Sequence, residues 1–211
     1  MALQLGDTAP DFTLDSTEGR IHFHEWAGDH WVAFFSHPKD FTPVCTTELG
    51  AFARRKTEFD ARDTKLLGLS VDSVDDHKGW SQDIAEVGGT AVNYPILADP
   101  ALEVAKLYGM HHPKADAKVT VRSVYIIDPQ KKVRLELTYP PSAGRNVDEI
   151  LRVIDSLQLT DGASLTTPVD WQPGDDVIIA PSVSDEDARA AFPAGVRTVK
   201  PYLRYTQAPT R

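Results

Sequence analysis

Trp31-Val32-Ala33-Phe34-Phe35-Ser36-His37-Pro38-Lys39-Asp40-Phe41-Thr42-Pro43-Val44-Cys45-Thr46-Thr47-Glu48-Leu49 is the stretch that decides the fold. It opens on an apolar run of strand length, 31–36, which suits a buried strand. From Thr42 it reads as the start of a helix, with Thr42 suited to the N-cap and Pro43 to the first helical position. Val44 then falls at the second helical position and Cys45, the one cysteine of the chain, at the third. The free N–H groups and positive dipole end of a first helical turn favour an anion, and a thiolate is one.

A lone cysteine is more often a small buried hydrophobe than a nucleophile, but a place between a strand and a helix N-terminus reverses that reading. Bringing a cysteine from a reference pKa of about 8.5 to about 6.5 takes about 2.7 kcal/mol of preference for the charged form. A helix terminus supplies about 0.3–1 kcal/mol, so a nucleophilic Cys45 requires a second positive group, an arginine.

The run Pro38-x-x-x-Thr42-x-x-Cys45 resembles the active-site signature of the peroxiredoxins, thiol peroxidases built on a thioredoxin-like fold. Arg122-Ser123-Val124-Tyr125-Ile126-Ile127-Asp128 is similar to the family strand that carries the active-site arginine. Gly144-Arg145-Asn146, Pro168-Val169-Asp170-Trp171 and Tyr202-Leu203-Arg204-Tyr205 resemble the one-cysteine, peroxiredoxin 6-like subfamily, so that the likeness spans nearly the whole chain.

The resemblance implies that Cys45 is the peroxidatic nucleophile, left as a sulfenic acid after attack on a hydroperoxide. It implies that Thr42 gives its hydroxyl hydrogen to the peroxide or the sulfur while its oxygen caps the Cys45 N–H. Arg122 holds the thiolate and the leaving oxygen with its fork of donors. Pro38 walls the pocket, Glu48 orients the arginine from the next helical turn, and Arg145 adds to the positive site. His37 matches a histidine linked to thiol reactivity in the one-cysteine branch. Each residue also has a plainer reading: Thr42 and Pro43 suit any helix start, Arg122 an edge charge, Glu48 a first-turn carboxylate. His24, His30, His111 and His112 read as surface or packing residues, and His22-x-His24 and His111-His112 lack partner ligands at metal spacing, so neither a metal nor a cofactor is expected.

Working outward, strand-length apolar segments alternate with segments of helical period, which predicts an α/β layer structure of thioredoxin-like type. Strands are expected at 65–72, 94–98, 122–127 and 132–139. Helices are expected at about 75–87, closed by Gly88-Gly89, at 101–108, ended by Gly109, and at 147–158, capped by Asn146. Val147, Ile150, Leu151, Ile154 and Leu157 line one face of the last helix as core. The segment 110–119 reads as a loop.

Around Thr160 the composition changes, which predicts a peroxidase domain over 1–160 and a small C-terminal extension over 161–211. The extension, with a strand at 177–180 and a helix at 184–191, is expected to bury too little surface alone and to pack on a partner. The resemblance implies a homodimer or higher homo-oligomer, with the segments around Trp31 and Trp171 contributing to one interface.

The 211 residues, 41% hydrophobic, suffice for a sizeable core. A lone cysteine cannot close an internal disulfide, which points to a reducing, cytoplasmic setting. Met1–Gly6 lacks the basic and apolar regions of a secretory signal, and no run is long enough to span a bilayer. A formal charge of −9 argues against a nucleic-acid partner. The partners implied are a hydroperoxide and an external thiol, either glutathione, a thioredoxin- or glutaredoxin-like protein, or another small thiol, because the chain has no resolving cysteine.

Mammalian members of the subfamily carry a proposed lipase serine in a Gly-Asp-Ser-Trp context, where this chain reads Gly28-Asp29-His30-Trp31. With His30 in place of the serine and no Gly-x-Ser-x-Gly elbow elsewhere, no phospholipase activity is expected. A dithiol oxidoreductase would need Cys-x-x-Cys where Thr42-x-x-Cys45 stands. A cysteine hydrolase would have only His37 as a nearby base. A redox sensor or chaperone switched by oxidation of Cys45 stays compatible with peroxidase turnover.

Overall fold

The computed structural model describes residues 3–209. They fall into two compact units that meet between Val147 and Asp148. In the first, β1 (Thr13–Ser16) and β2 (Gly19–His22) form a hairpin, followed by α1 (Phe23–Ala27), β3 (Trp31–Ser36), α2 (Pro43–Arg54), α3 (Lys56–Asp60) and β4 (Thr64–Ser70). Then come α4 (Val74–Gly88), β5 (Ile96–Ala98), α5 (Glu103–Leu107), β6 (Arg122–Ile127) and β7 (Val133–Tyr139). The strands build one seven-stranded sheet in the order β2-β1-β5-β4-β3-β6-β7.

β3, β4 and β5 run parallel, while β6 runs antiparallel to β3. β3 is buried at every position because both its faces are covered, as its unbroken apolar run requires. Phe34 points to one side, where its ring meets Tyr108 at 4.9 Å. Phe35 points to the other, where it stacks on Phe52 of α2 at 4.3 Å. Full burial of one such ring is worth about 1.5–3 kcal/mol, so this pairing anchors α2 to the strand that leads into it.

The expected elements appear with small shifts of boundary. α4 starts one residue after Ser73, which forms a capping box with Asp76, and ends on Gly89 in the left-handed conformation at φ 75°. Gly88 therefore belongs to the helix, where it lies against Gly50 of α2; a Cβ there would meet the Gly50 Cα at 3.3 Å and the Arg54 guanidinium at 2.9 Å. The hairpin of β1 and β2 was not expected from the sequence; its strands are short and largely polar, and Gly19 at φ 103° makes its turn.

The second unit holds α6 (Val147–Thr160), β8 (Leu165–Thr166), β9 (Val177–Ile179), α7 (Asp185–Ala191), β10 (Arg197–Lys200) and β11 (Leu203–Thr206). Its four strands form a sheet in the order β10-β11-β9-β8. The boundary lies one helix before the change of composition at Thr160, because α6 is tied forward: Arg152 donates to the Trp171 carbonyl and Ser156 pairs with Thr167. Leu165, Trp171, Val177, Ile179 and Ala188 form a buried cluster, against which Leu159 of α6 packs. The Trp31 and Trp171 rings are each buried, while Val169, two residues before Trp171, is exposed. None of the described helices is long and apolar enough to cross a membrane.

Candidate active site

The parallel strands end where β3 turns into α2, the edge at which open α/β sheets place their sites. Cys45 is the third residue of α2, in its first turn, and is fully buried. The antiparallel register of β6, with Val124 opposite Phe35, carries Arg122 to the end of β3 and across from that turn. Its Nη1 donates to Cys45 Sγ at 3.2 Å and to Glu48 Oε2 at 2.6 Å. Nε and Nη2 donate to the Pro141 carbonyl at 3.1 and 2.8 Å, which fixes the plane of the guanidinium.

Glu48, one turn after Cys45, binds two cations at once. Its Oε1 accepts from the Arg145 backbone N–H at 2.7 Å and from Nε at 2.9 Å, and its Oε2 from Arg145 Nη2 at 2.8 Å. Arg145 is held further by the carbonyls of Ser36 at 2.8 Å and Ser123 at 3.2 Å, with its guanidinium 5.1 Å from the centre of the Phe35 ring. Burial on its own would raise the Glu48 carboxyl, but the charge and hydrogen bonds of Arg145, joined by the charge of Arg122, hold it below the usual range. The carboxylate balances one of the two arginines, which leaves one positive charge beside the Cys45 sulfur.

Pro38 is buried and Thr42 half-buried. Thr42 takes the extended N-cap conformation at φ −120°, ψ 148°, but its side chain makes no cap bond. Its hydroxyl instead donates to the Lys39 carbonyl at 2.9 Å. The expected bond from the Cys45 N–H to Thr42 Oγ1 is therefore not formed, and the hydroxyl hydrogen expected to reach the sulfur or peroxide is engaged elsewhere. The oxygen lone pairs stay available as acceptors.

His37 is buried, and its environment was not legible in the sequence. Its Nε2 lies 2.6 Å from Asp40 Oδ1, while His77 Nδ1 lies 2.6 Å from Asp40 Oδ2. These three side chains place ligand-type atoms within 4.8 Å of one another. The carboxylate can only accept, so each ring nitrogen facing it carries a hydrogen and has no lone pair to offer a metal ion. The sequence carries one signal for His77: His77, Trp80 and Ile84 are spaced by three and four on the buried stripe of α4, and a histidine there needs a polar partner.

Burial would raise Asp40, but hydrogen bonds and charge from both histidines bring it down to about 2. His37 is lowered first by burial, against the bond and charge of Asp40, and lowered further by the charges of His77 and Arg145.

Of the histidines read as surface or packing residues, His24, His111 and His112 bond backbone carbonyls, and His30 pairs with Asp63 at the surface.

Residues 5–136 match the AhpC/TSA family, and residues 156–195 match the C-terminal domain of 1-Cys peroxiredoxin. The chain is 53% identical over 209 residues to a 1-Cys peroxiredoxin of Dictyostelium discoideum, covering 99% of this chain and 87% of that protein. Its structure is similar to that of a cysteine-to-serine mutant of peroxiredoxin 6 of Arenicola marina, with a TM-score of 0.93, 46% identity and full coverage of both chains. It is also similar to yeast mitochondrial 1-Cys peroxiredoxin, with a TM-score of 0.90, 50% identity, and coverage of 97% of this chain and 99% of that one. A buried thiol held by an arginine at a helix N-terminus, on a thioredoxin-like sheet, agrees with these relatives in both sequence and shape: the chain belongs to the AhpC/TSA family and is a 1-Cys peroxiredoxin, a thiol-dependent peroxidase.

Proposed function

We propose that Cys45 is the peroxidatic nucleophile, and the observation that carries this reading is the 3.2 Å contact from Arg122 Nη1 to its sulfur. The thiolate attacks the terminal oxygen of a hydroperoxide; an S–O bond forms and the O–O bond breaks. One proton is taken up, so that Cys–S⁻, ROOH and H⁺ give Cys–SOH and ROH. Arg122 stabilises the negative charge as it passes from sulfur to the leaving oxygen, and Glu48 and Arg145 keep its fork aimed. Thr42, its hydrogen on the Lys39 carbonyl, accepts the hydrogen bond of the peroxide O–H through Oγ1. Pro38 keeps bulk water from the sulfur.

The chain's one cysteine leaves resolution to an external thiol. That thiol displaces water from the sulfenic acid to form a mixed disulfide, and a second thiol then releases Cys45 reduced. The yeast mitochondrial relative is resolved via glutathione and thioredoxin systems, which supports the same classes of reductant here. A thiol that must return to its reduced form fits a reducing compartment such as the cytoplasm, although one yeast relative is mitochondrial.

The chain works as a homodimer in this reading. β7 lies at the edge of its sheet, and Val169, Val199 and Tyr202 expose apolar surface in the second unit.

The test is rapid mixing of the reduced protein with one equivalent of hydrogen peroxide, followed by tryptophan fluorescence and intact mass, with Cys45→Ser as control. A fast gain of one oxygen, absent in the control, is the expected outcome. A reaction no faster than that of a free thiol overturns the assignment.

A further inference from the structure

Asp40 is the centre of a buried cluster that the peroxide chemistry does not itself use. The side chains of His37, Asp40 and His77 are each at most 1% exposed, and the cluster joins the loop before α2 to α4. His77 turns its second nitrogen, Nε2, to the Leu97 carbonyl at 3.2 Å. His37 Nδ1, by contrast, is buried with no hydrogen-bond partner among the described residues.

Counting donors and acceptors fixes the protons. A carbonyl oxygen only accepts, and so does an ionised carboxylate. His77 faces one of each, so both its nitrogens carry hydrogen and the ring is an imidazolium paired with Asp40. His37 gives its Nε2 hydrogen to the same carboxylate and needs no second proton, because the charge of Asp40 is already met by His77. His37 Nδ1 is then a bare lone pair.

The charged groups around His37 agree with this count. Asp40 faces it from its own loop, His77 from α4 and Arg145 from the segment before α6, and Arg145 is neutralised by Glu48. Asp72, after β4, accepts the Asp40 N–H and the Ser70 hydroxyl and so holds the loop in place. Ser36, next to His37 in the chain, gives its carbonyl to Arg145, so the imidazole adjoins the arginine–glutamate cluster that positions Arg122.

We propose that Asp40 and His77 are positioning residues that hold His37 as the neutral Nε2–H tautomer, so that the arginine–glutamate cluster beside Cys45 has an uncharged imidazole and not a third cation as its neighbour. The tautomer is a property of the cluster itself; its effect on peroxide reduction rests on the reading of Cys45 as nucleophile. Without the His77 charge, Asp40 would draw a second proton onto His37, and the positive charge of the cluster would pass from α4 to the loop that leads into α2.

The test combines long-range proton–nitrogen NMR of the imidazoles with kinetics, using the full-length reduced protein. His37→Gln and His77→Asn each remove one set of signals and so assign the others. In the wild type, between about pH 5 and 8, His37 should show Nδ1 without and Nε2 with hydrogen, and His77 should show both nitrogens protonated. His77→Asn keeps a donor toward Asp40 but loses the charge. In that variant His37 should take up a proton within the same window, and the peroxide rate constant should show one more titration step than in the wild type. A residue with a merely structural role would lower the rate without adding that step.

A protonated His37 Nδ1 or a neutral His77 in the wild type overturns the proposal, as does a His77→Asn variant with unchanged His37 signals and an unchanged pH profile. Should His77→Asn fail to fold, the wild-type spectrum still decides. Should the wild type fail to react with peroxide, the functional reading falls while the imidazole signals independently test the tautomer.

Discussion

Replacing Arg122 by glutamine separates the chemistry of the site from its architecture. Glu48 keeps three hydrogen bonds from Arg145, so the variant leaves no orphaned carboxylate. The losses are the two bonds to the Pro141 carbonyl and the bonds to Glu48 and Cys45. A net cost of about 1–3 kcal/mol follows for partly compensated polar groups. In a chain of this length that is a fall in melting temperature of less than about 12 °C.

The effect on rate should be larger. The charge-assisted contact at 3.2 Å is worth about 1.5–3 kcal/mol to a thiolate, which alone is about 10- to 150-fold. Removing a donor aimed at developing charge costs about 10²–10³-fold in comparable sites, so a loss of about 10²–10³-fold is expected for peroxide reduction. Stopped-flow mixing with hydrogen peroxide measures it, with circular dichroism to verify the fold. Alkylation by iodoacetamide is the control, since it needs the thiolate but has no leaving oxygen to stabilise. Alkylation should therefore fall less than peroxide reduction. A folded variant within about threefold of the wild-type peroxide rate, a difference of less than about 1 kcal/mol, refutes the role given to Arg122. Equal losses in both reactions refute its action on the leaving oxygen.

Thr42→Val should lower the peroxide rate by about 10²-fold while Thr42→Ser keeps most of it, because the valine lacks the acceptor oxygen and the serine retains it; stopped-flow comparison of the two variants checks this, and equal rates would remove the hydroxyl from the mechanism. Glu48→Gln leaves Arg122 and Arg145 buried without a counter-charge and should destabilise the fold by about 3–5 kcal/mol, read from urea unfolding. Asp40, held at about 2 against an ordinary 3.8, contributes about 2 kcal/mol at neutral pH that is present above about 4 and lost as the pH falls toward 2. His37, whose pKa is lowered, is neutral when folded, and the unfolded chain takes up its proton below about 6.5, so it too makes the fold weaken with acid. Urea midpoints measured against pH should fall along this course, and Asp40→Asn should flatten the lower part of it.

The parts of the site that lie close together in the chain were readable from it. β3, the turn at Thr42 and Pro43 and the place of Cys45 follow from an apolar run and the chemistry of a helix start. Glu48 follows from its spacing of three from Cys45. Arg122 and Arg145 could be named through family resemblance, but their convergence on one carboxylate depends on the pairing of β6 with β3, which no local pattern encodes. The two-histidine cluster was hidden for a similar reason: His77 is 37 residues from Asp40, beside Asp75 and Asp76, where it resembles a solvated helix start. The Thr42 hydroxyl was misread because a residue suited to capping was assumed to cap, whereas the turn at Phe41, with φ at 54°, brings the Lys39 carbonyl within its reach.

Full burial of Cys45 sets a requirement on the second half of the proposed cycle. A disulfide forms only when the sulfurs come to about 2.05 Å, and a tripeptide or protein thiol cannot approach a sulfur that has no exposed surface. The first turn of α2 must therefore open before the sulfenic acid is resolved. One bond that closes it runs from Trp80 Nε1 on α4 to Thr46 Oγ1 at 3.2 Å, and the same hydroxyl donates back to the Thr42 carbonyl at 2.8 Å. Thr46→Val preserves shape but leaves the Trp80 N–H unpaired in the closed state, whereas water can reach it in the open one. The closed state then loses about 1–2 kcal/mol, and opening becomes about 5- to 30-fold more favourable. Reduction of the preformed sulfenic acid by glutathione should speed up by a comparable factor, while reduction of hydrogen peroxide, which needs a far smaller opening to reach the sulfur, should change less. If glutathione reacts no faster with Thr46→Val than with the wild type, the contact between α2 and α4 is not what limits access to Cys45.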